Sequence, residues 1–229
     1  MKDTLSRLVK EGVKLLPELE AAKLCSIHGI LTPPSRTAAD TPGALVAARE
    51  LGYPVVLKVL SRQIIHKSEA GGVIVGIESD RELEKACQAM AGQIRAKVPG
   101  AQIDGLLIQK MMPKGVEVVV GALRNAEFGP VVMFGLGGVY VEVFKDVEFR
   151  LAPLSQAEAG RQIEATKVSR ILKGVRGESP RDLEALRQLL VNVGDIICRY
   201  HEIKEIDLNP IVSYAKGYAA VDVRVIVGQ

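Results

Sequence analysis

The stretch GYPVVLKVLSRQIIHKSEAGGVIVGIESDRE, residues 52–82, decides the fold class. Its Val55–Leu60 portion is an apolar, β-branched run of strand length. A polar loop closed by two glycines follows, and Val73–Ile77 is a second such run. Ser79-Asp80-Arg81-Glu82 has the spacing of a capping box, which predicts a helix from there to about Lys97. Two strands in succession ahead of a helix break the strand–helix–strand alternation of a doubly wound parallel sheet. The expectation is an α+β fold.

Upstream, a helix is predicted from Pro17-Glu18 to His28, with Gly29 at the left-handed cap and Pro33-Pro34 barring continuation. Thr41-Pro42 reads as N-cap and first helical position, and Gly52 closes that helix. Downstream, residues 106–110, 117–123 and 131–134 read as strands and residues 156–171 as helical. Ser179-Pro180 opens a long helix to about Tyr200. The chain closes in two strands, residues 203–214 and 218–226, with Lys216-Gly217 as a two-residue hairpin turn. These elements divide into two α+β lobes, about 1–110 and 111–229.

With 30 basic and 27 acidic residues, the net charge of +3 is too balanced for a nucleic-acid surface, and no dense Lys/Arg run exists. No apolar stretch is long enough for a membrane span, and no apolar run follows the start, so no secretory signal is expected. Cys25, Cys87 and Cys198 form no paired motif. They read as core thiols of a reduced, cytoplasmic protein. His28 and His201 fall near helix C-termini, where the helix dipole gives them a structural role.

The common nucleotide fingerprints are missing. There is no Gly-Lys-Ser/Thr, and Gly135-Leu-Gly137-Gly138 has the wrong spacing for a dinucleotide turn. Lys58 is anomalous, because it interrupts a strand that should be buried on both faces. It either meets an anionic ligand or reaches solvent from the strand end. In the loop His66-Lys-Ser-Glu-Ala-Gly71-Gly72, the glycines either bring backbone N–H groups to phosphate or simply close a turn. Asp207 and Asn209 share one strand face. With a two-residue turn, partner numbers sum to 433, so Ile211 opposes Asp222 and Asn209 opposes Arg224. Asn209 and Asp222 are then diagonal neighbours, able to share a Mg²⁺ that completes its shell with phosphate and water. The competing reading is a solvated polar face. Pro210 suits an edge or bulge.

At these residues the chain resembles the ATP-grasp superfamily. Within it, the chain is similar to the beta subunits of ADP-forming acyl-CoA (acetyl-CoA) synthetases, relatives of succinyl-CoA synthetase. The ordered set that carries the resemblance includes Gly52-Tyr-Pro-Val-Val-Leu-Lys58, His66-Lys-Ser-Glu-Ala-Gly-Gly72 and Gly129-Pro-Val-Val-Met-Phe-Gly-Leu-Gly-Gly138. Phe149-Arg-Leu-Ala-Pro-Leu154 and Glu205-Ile-Asp-Leu-Asn-Pro-Ile211 complete it.

The resemblance implies the reaction acyl-CoA + ADP + phosphate ⇌ acid + ATP + CoA. It implies ATP/ADP and Mg²⁺ as cofactors, held between two ATP-grasp lobes. The partner would be a CoA-binding alpha subunit, in an α2β2 assembly. His66 falls on the family's phosphoryl-carrying histidine, and Asp207 on the carboxylate that orients it. Lys58 matches the phosphate lysine, and Gly71 and Gly72, assigned to cofactor binding, close the His66 loop. Gln109, Lys110, Met111 and Met112 match the hinge that receives adenine, and Glu117 the acid near the ribose. Asn209 and Asp222 match the metal ligands. Of Glu142, Lys145, Asp146 and Arg150 in a family-like stretch, Arg150 is assigned a phosphate contact. Two other readings stand beside this one. One is a stand-alone carboxylate ligase working through an acylphosphate, which needs no loop histidine. The other is a non-catalytic nucleotide-sensing module.

Overall fold

The computed structural model describes residues 1–61, 63–64, 67–138, 146–175 and 177–228. The chain forms two compact units, Pro33–Pro113 and Met1–Thr32 with Lys114–Gln229. The expected division at residue 110 kept the first 32 residues with the N-terminal lobe. They belong to the other unit instead, because Leu5, Leu8, Leu24 and Cys25 enter its core beside Leu189, Val193 and Ile197.

In the unit Pro33–Pro113, β1 (Ser35–Ala38), β2 (Val55–Leu60), β3 (Val73–Ile77) and β4 (Gly105–Lys110) form an antiparallel sheet in the order β1-β4-β2-β3. Helices α3 (Thr41–Leu51) and α4 (Asp80–Lys97) contribute Ala44, Ala48, Leu83 and Met90 to its core. Val55, Leu57 and Val59 alternate into that core with Ala48, Leu83, Met90 and Ile94. Val56 and Lys58 therefore take the other face. The N-cap of α3 is Asp40, whose carboxylate accepts the Gly43 N–H, so Thr41 is the first helical residue and not the cap. At α4, Ser79 caps Glu82 as expected. The reciprocal Glu82 carboxylate accepts from Glu78, one residue earlier than a capping box requires.

The second unit opens with α1 (Lys2–Lys10) and α2 (Glu18–Ile27). Its six-stranded antiparallel sheet has the path β10-β8-β5-β6-β7, with β9 paired to β8. The strands are β5 (Val116–Asn125), β6 (Gly129–Leu136), β7 (Val147–Leu151), β8 (Ile203–Ser213), β9 (Tyr218–Ala220) and β10 (Val223–Val227). Helices α5 (Gln156–Ala165), α6 (Val168–Leu172) and α7 (Leu183–Arg199) add Ile163, Leu172, Leu186, Leu189 and Val193 to a core shared with Val118, Val120, Val132 and Phe134. The single helix expected over 156–171 is broken. The Asp146 carboxylate accepts the N–H groups of Lys167 and Val168 at 2.8 Å each, capping a separate α6.

No helix among the described residues is long and apolar enough to cross a membrane. All three cysteines are free, and burial pushes the Cys25 thiol up to about 12.

Asp182 ties α7 to the β8–β9 turn. Its carboxylate accepts from Ala185 at 3.0 Å and from Gly217 at 2.8 Å. These bonds, Ala185 first, hold its carboxyl below the usual carboxylate range. A depressed folded pKa contributes stability above the unfolded value and loses it as pH falls through the folded one. Asp182→Ala should cost about 1–2 kcal/mol at neutral pH. Urea unfolding should show the wild-type advantage shrinking as the pH drops below the normal carboxylate pKa. An advantage that grows in acid would contradict this assignment.

Candidate functional site

Strand β8 carries the densest polar set. Ile206, Leu208 and Ile211 enter the core, while Glu205, Asp207 and Asn209 take the opposite face. Leu208 and Ile211 are three residues apart, yet they pair with Val120 and Val118, only two apart. The extra residue is a bulge at Asn209-Pro210, where proline's missing N–H costs nothing.

The hairpin register corrects the expected one. Ile211 pairs with Ala220 and Leu208 with Val223, so partner numbers sum to 431. The turn is longer by two residues and closed by the Tyr214 N–H donating to the Gly217 carbonyl. Asn209 and Asp222 therefore face each other directly rather than diagonally, and the Val221 N–H donates to the Pro210 carbonyl beside them. A shift of two leaves every side chain on its expected face. Arg224 opposes Asp207, not Asn209, and its guanidinium lies 3.6 Å from Asp207 and 3.0 Å from Glu205.

The surroundings of Asp207 are acidic. Burial raises its carboxyl pKa; Arg224 pulls it down, and Glu205 and Asp222 push it up. This excess of carboxylates over Arg224, with Asn209 opposite Asp222 in the register, suits a hard cation. Among the described residues, no three His, Cys, Asp or Glu side chains gather to hold a metal. Mg²⁺ does not need them, since one or two protein oxygens suffice when phosphate and water complete its shell.

Over this set lies the turn after β6. The Gly137 N–H donates to the Glu117 carbonyl at 3.0 Å, and the Gly138 N–H donates to Asn209 Oδ1 at 3.2 Å. Glu117 on β5 is thus joined to Asn209 through two consecutive glycines. Sequence reading rejected this Gly-Gly as a dinucleotide turn and used it only within the resemblance, with no role for either glycine. Its real signal was a backbone that must approach closely.

In the other unit, Val56 pairs with Gln109 and Lys58 with Leu107, so Lys58 and Gln109 share one face of the sheet. Both are buried, Lys58 to 4% exposure and Gln109 to 6%. Lys58 is therefore not a strand-end lysine reaching into solvent. Among the described residues, the Gln109 amide oxygen has no hydrogen-bond partner.

The other expected residues make contacts within the chain. The Lys110 ammonium donates to the carbonyls of Gly52 at 2.6 Å and Tyr53 at 3.0 Å, fastening the loop that enters β2. The Met111 N–H donates to Pro54 at 3.1 Å, and Met112 follows it out of the strand. The N–H groups of Gly71 and Gly72 donate to the carbonyls of Ser68 and Lys67, so these glycines close a turn. Gly72 also has Val59 pressed where a Cβ would be, at 2.5 Å. Arg150 pairs with Val132, which is buried in the helix-covered core, so its register places it on the face away from Asp207 and Asn209. Its guanidinium contacts Glu148 at 3.7 Å. His66, Glu142 and Lys145 lie outside the described residues.

Residues 7–227 match the ATP-grasp domain family. The beta subunit of the ADP-forming acetate–CoA ligase I of Pyrococcus furiosus is 44% identical, over 92% of this chain and 91% of that one. The ADP-forming acetate–CoA ligase I of Archaeoglobus fulgidus is 43% identical over 95% of this chain, which spans 31% of that longer protein. An acetyl-coenzyme A synthetase 1 from Ca. Korarchaeum cryptofilum, solved with coenzyme A and Ca-AMPCP, superposes with a TM-score of 0.95 at 44% identity, covering 99% of both chains. The same protein with Mg-AMPPCP has its phosphohistidine segment pointing towards the nucleotide site, with a TM-score of 0.86.

Antiparallel sheets, each with one helix-covered face and one polar set on the other, belong here to an ATP-grasp domain, and the chain is a member of that family. Within it, the chain belongs to the beta subunits of the ADP-forming acetate–CoA ligases.

Proposed function

We propose that this chain is the nucleotide-binding subunit of a cytosolic ADP-forming acyl-CoA synthetase, working with a CoA-binding alpha subunit in an α2β2 assembly. The reaction is acyl-CoA + ADP + phosphate ⇌ acid + ATP + CoA. The observation that carries the reading is the Asn209–Asp222 pair, facing across the hairpin beside Asp207 in a chain of this family.

In this reading Asn209 and Asp222 would hold Mg²⁺, which would supply charge neutralisation at the phosphates. Lys58 holds phosphate, where its burial strengthens the charge-assisted contact. The unpaired Gln109 oxygen supports a nucleotide base with an exocyclic amino group, which adenine offers as a donor. Glu117 accepts from the ribose. His66 carries the phosphoryl group, and Asp207 orients its ring. During ATP synthesis a terminal oxygen of ADP attacks phosphorus, the N–P bond breaks, and the electron pair returns to the imidazole.

The test is ATP formation from acetyl-CoA, ADP and phosphate, with and without the co-expressed alpha subunit. Turnover should need both chains. Turnover by the purified chain alone would favour a stand-alone ligase, and none with the partner present would favour a sensing module. Lys58→Ala should weaken ADP binding by about 10- to 150-fold, the equivalent of 1.5–3 kcal/mol, without unfolding the chain. Unchanged affinity by calorimetry would remove Lys58 from the site.

A further inference from the structure

We infer that Gly138 is a positioning residue for the metal site. Its backbone N–H fixes the Asn209 amide, and its lack of a side chain lets that N–H reach Asn209 past the Glu117 carboxylate. This rests on the proposed assignment of Asn209 as a Mg²⁺ ligand.

Three observations carry it. The Gly138 N–H donates to Asn209 Oδ1 at 3.2 Å. A backbone N–H can only donate, so the atom facing it must be the amide oxygen and not the NH₂ group. That decides which end of Asn209 faces Gly138. A carbonyl oxygen has two lone pairs, so one can accept from Gly138 while the other meets a cation. Next, Gly138 has φ +68, in the left-handed region, and a Cβ there would collide with Glu117 Oε2. Any side chain must push away either the Glu117 carboxylate or the turn that carries the N–H. Finally, the preceding Gly137 is seated on β5, where its own Cβ would come within 2.5 Å of the Val118 backbone. The turn is therefore seated closely against β5, beside Glu117. The residue that orients the metal ligand is thus in contact with the acid assigned to the ribose.

Ligands to a metal depend on groups that orient them, and losing such a group typically costs about 10- to 100-fold in metal affinity. The experiment is a Mn²⁺ titration of the ADP-bound full chain, followed by electron paramagnetic resonance. Parallel calorimetry measures ADP binding without divalent cation. Gly138→Ala should weaken Mn²⁺ binding at least tenfold, a larger loss than the one in metal-free ADP binding that displacement of the Glu117 carboxylate brings. Gly138→Asn separates the causes, because asparagine tolerates a left-handed backbone but still places a Cβ on Glu117. It should lose Mn²⁺ as alanine does. Asn209→Asp can still accept the Gly138 N–H and ligate a cation, so it should retain binding. If Asn209→Ala leaves Mn²⁺ affinity unchanged, the ligand assignment itself fails. If Asn209→Ala weakens Mn²⁺ but either Gly138 variant binds it normally, the positioning role is overturned.

Discussion

His66→Ala is expected to abolish ATP synthesis from acyl-CoA, ADP and phosphate in the assembled enzyme while leaving ADP binding and partner assembly intact. The acyl chemistry is proposed for the alpha subunit and the nucleotide is proposed for this chain, so a carrier must move the phosphoryl group between them. Imidazole suits this task, because its unperturbed pKa near 6.5 leaves a largely neutral ring able to attack phosphorus at neutral pH. His66→Asn should be equally inactive, since an amide is no nucleophile. The structural relative with a phosphohistidine segment supports the assignment. Substantial acyl-CoA-dependent ATP formation by either variant would remove the relay and favour direct acylphosphate chemistry.

Asp222→Ala is expected to have the second-largest effect, raising the Mg²⁺ concentration for half-maximal activity by roughly 10- to 150-fold, as for loss of a contact to a charged group. Asp222 faces Asn209 and adds to the acidic surroundings that raise the Asp207 carboxyl pKa. Removing its charge weakens cation binding, so saturating Mg²⁺ should restore part of the rate. A variant with wild-type Mg²⁺ dependence would take the hairpin out of the metal site.

Local pattern carried much of this. The strands Val55–Leu60 and Val73–Ile77 and the helix Asp80–Lys97 have the ends read from sequence, because apolar runs and Ser79 mark them locally. The α1 helix was missed: only Leu5 and Leu8 are buried there, and their partners are far along the chain. Ser35–Ala38 was missed because an edge strand of Ser-Arg-Thr-Ala shows little apolar alternation. The break before α6 depends on Asp146, about twenty residues upstream, and no local pattern shows it.

The candidate site was legible to the same degree. Faces were right for Asp207 and Asn209 because strand alternation is local. The register was off by two because the turn spans Tyr214 to Gly217 and not Lys216-Gly217 alone. The resemblance set Lys110 in the hinge and Gly71-Gly72 in the loop, but sequence does not show which carbonyls their donors meet. Asp40 displaced Thr41 as the cap of α3 because neighbouring cap-forming residues compete, and only geometry chooses between them.

The most direct test of the phosphoryl relay is transfer of label from γ-³²P-labelled ATP with Mg²⁺ to the assembled enzyme, followed by mapping of the labelled peptide. Acid-labile, base-stable label on His66 is the expected result, absent in His66→Ala and restored to ATP on addition of ADP. Label on any other residue of this chain, or turnover without label at His66, would contradict it.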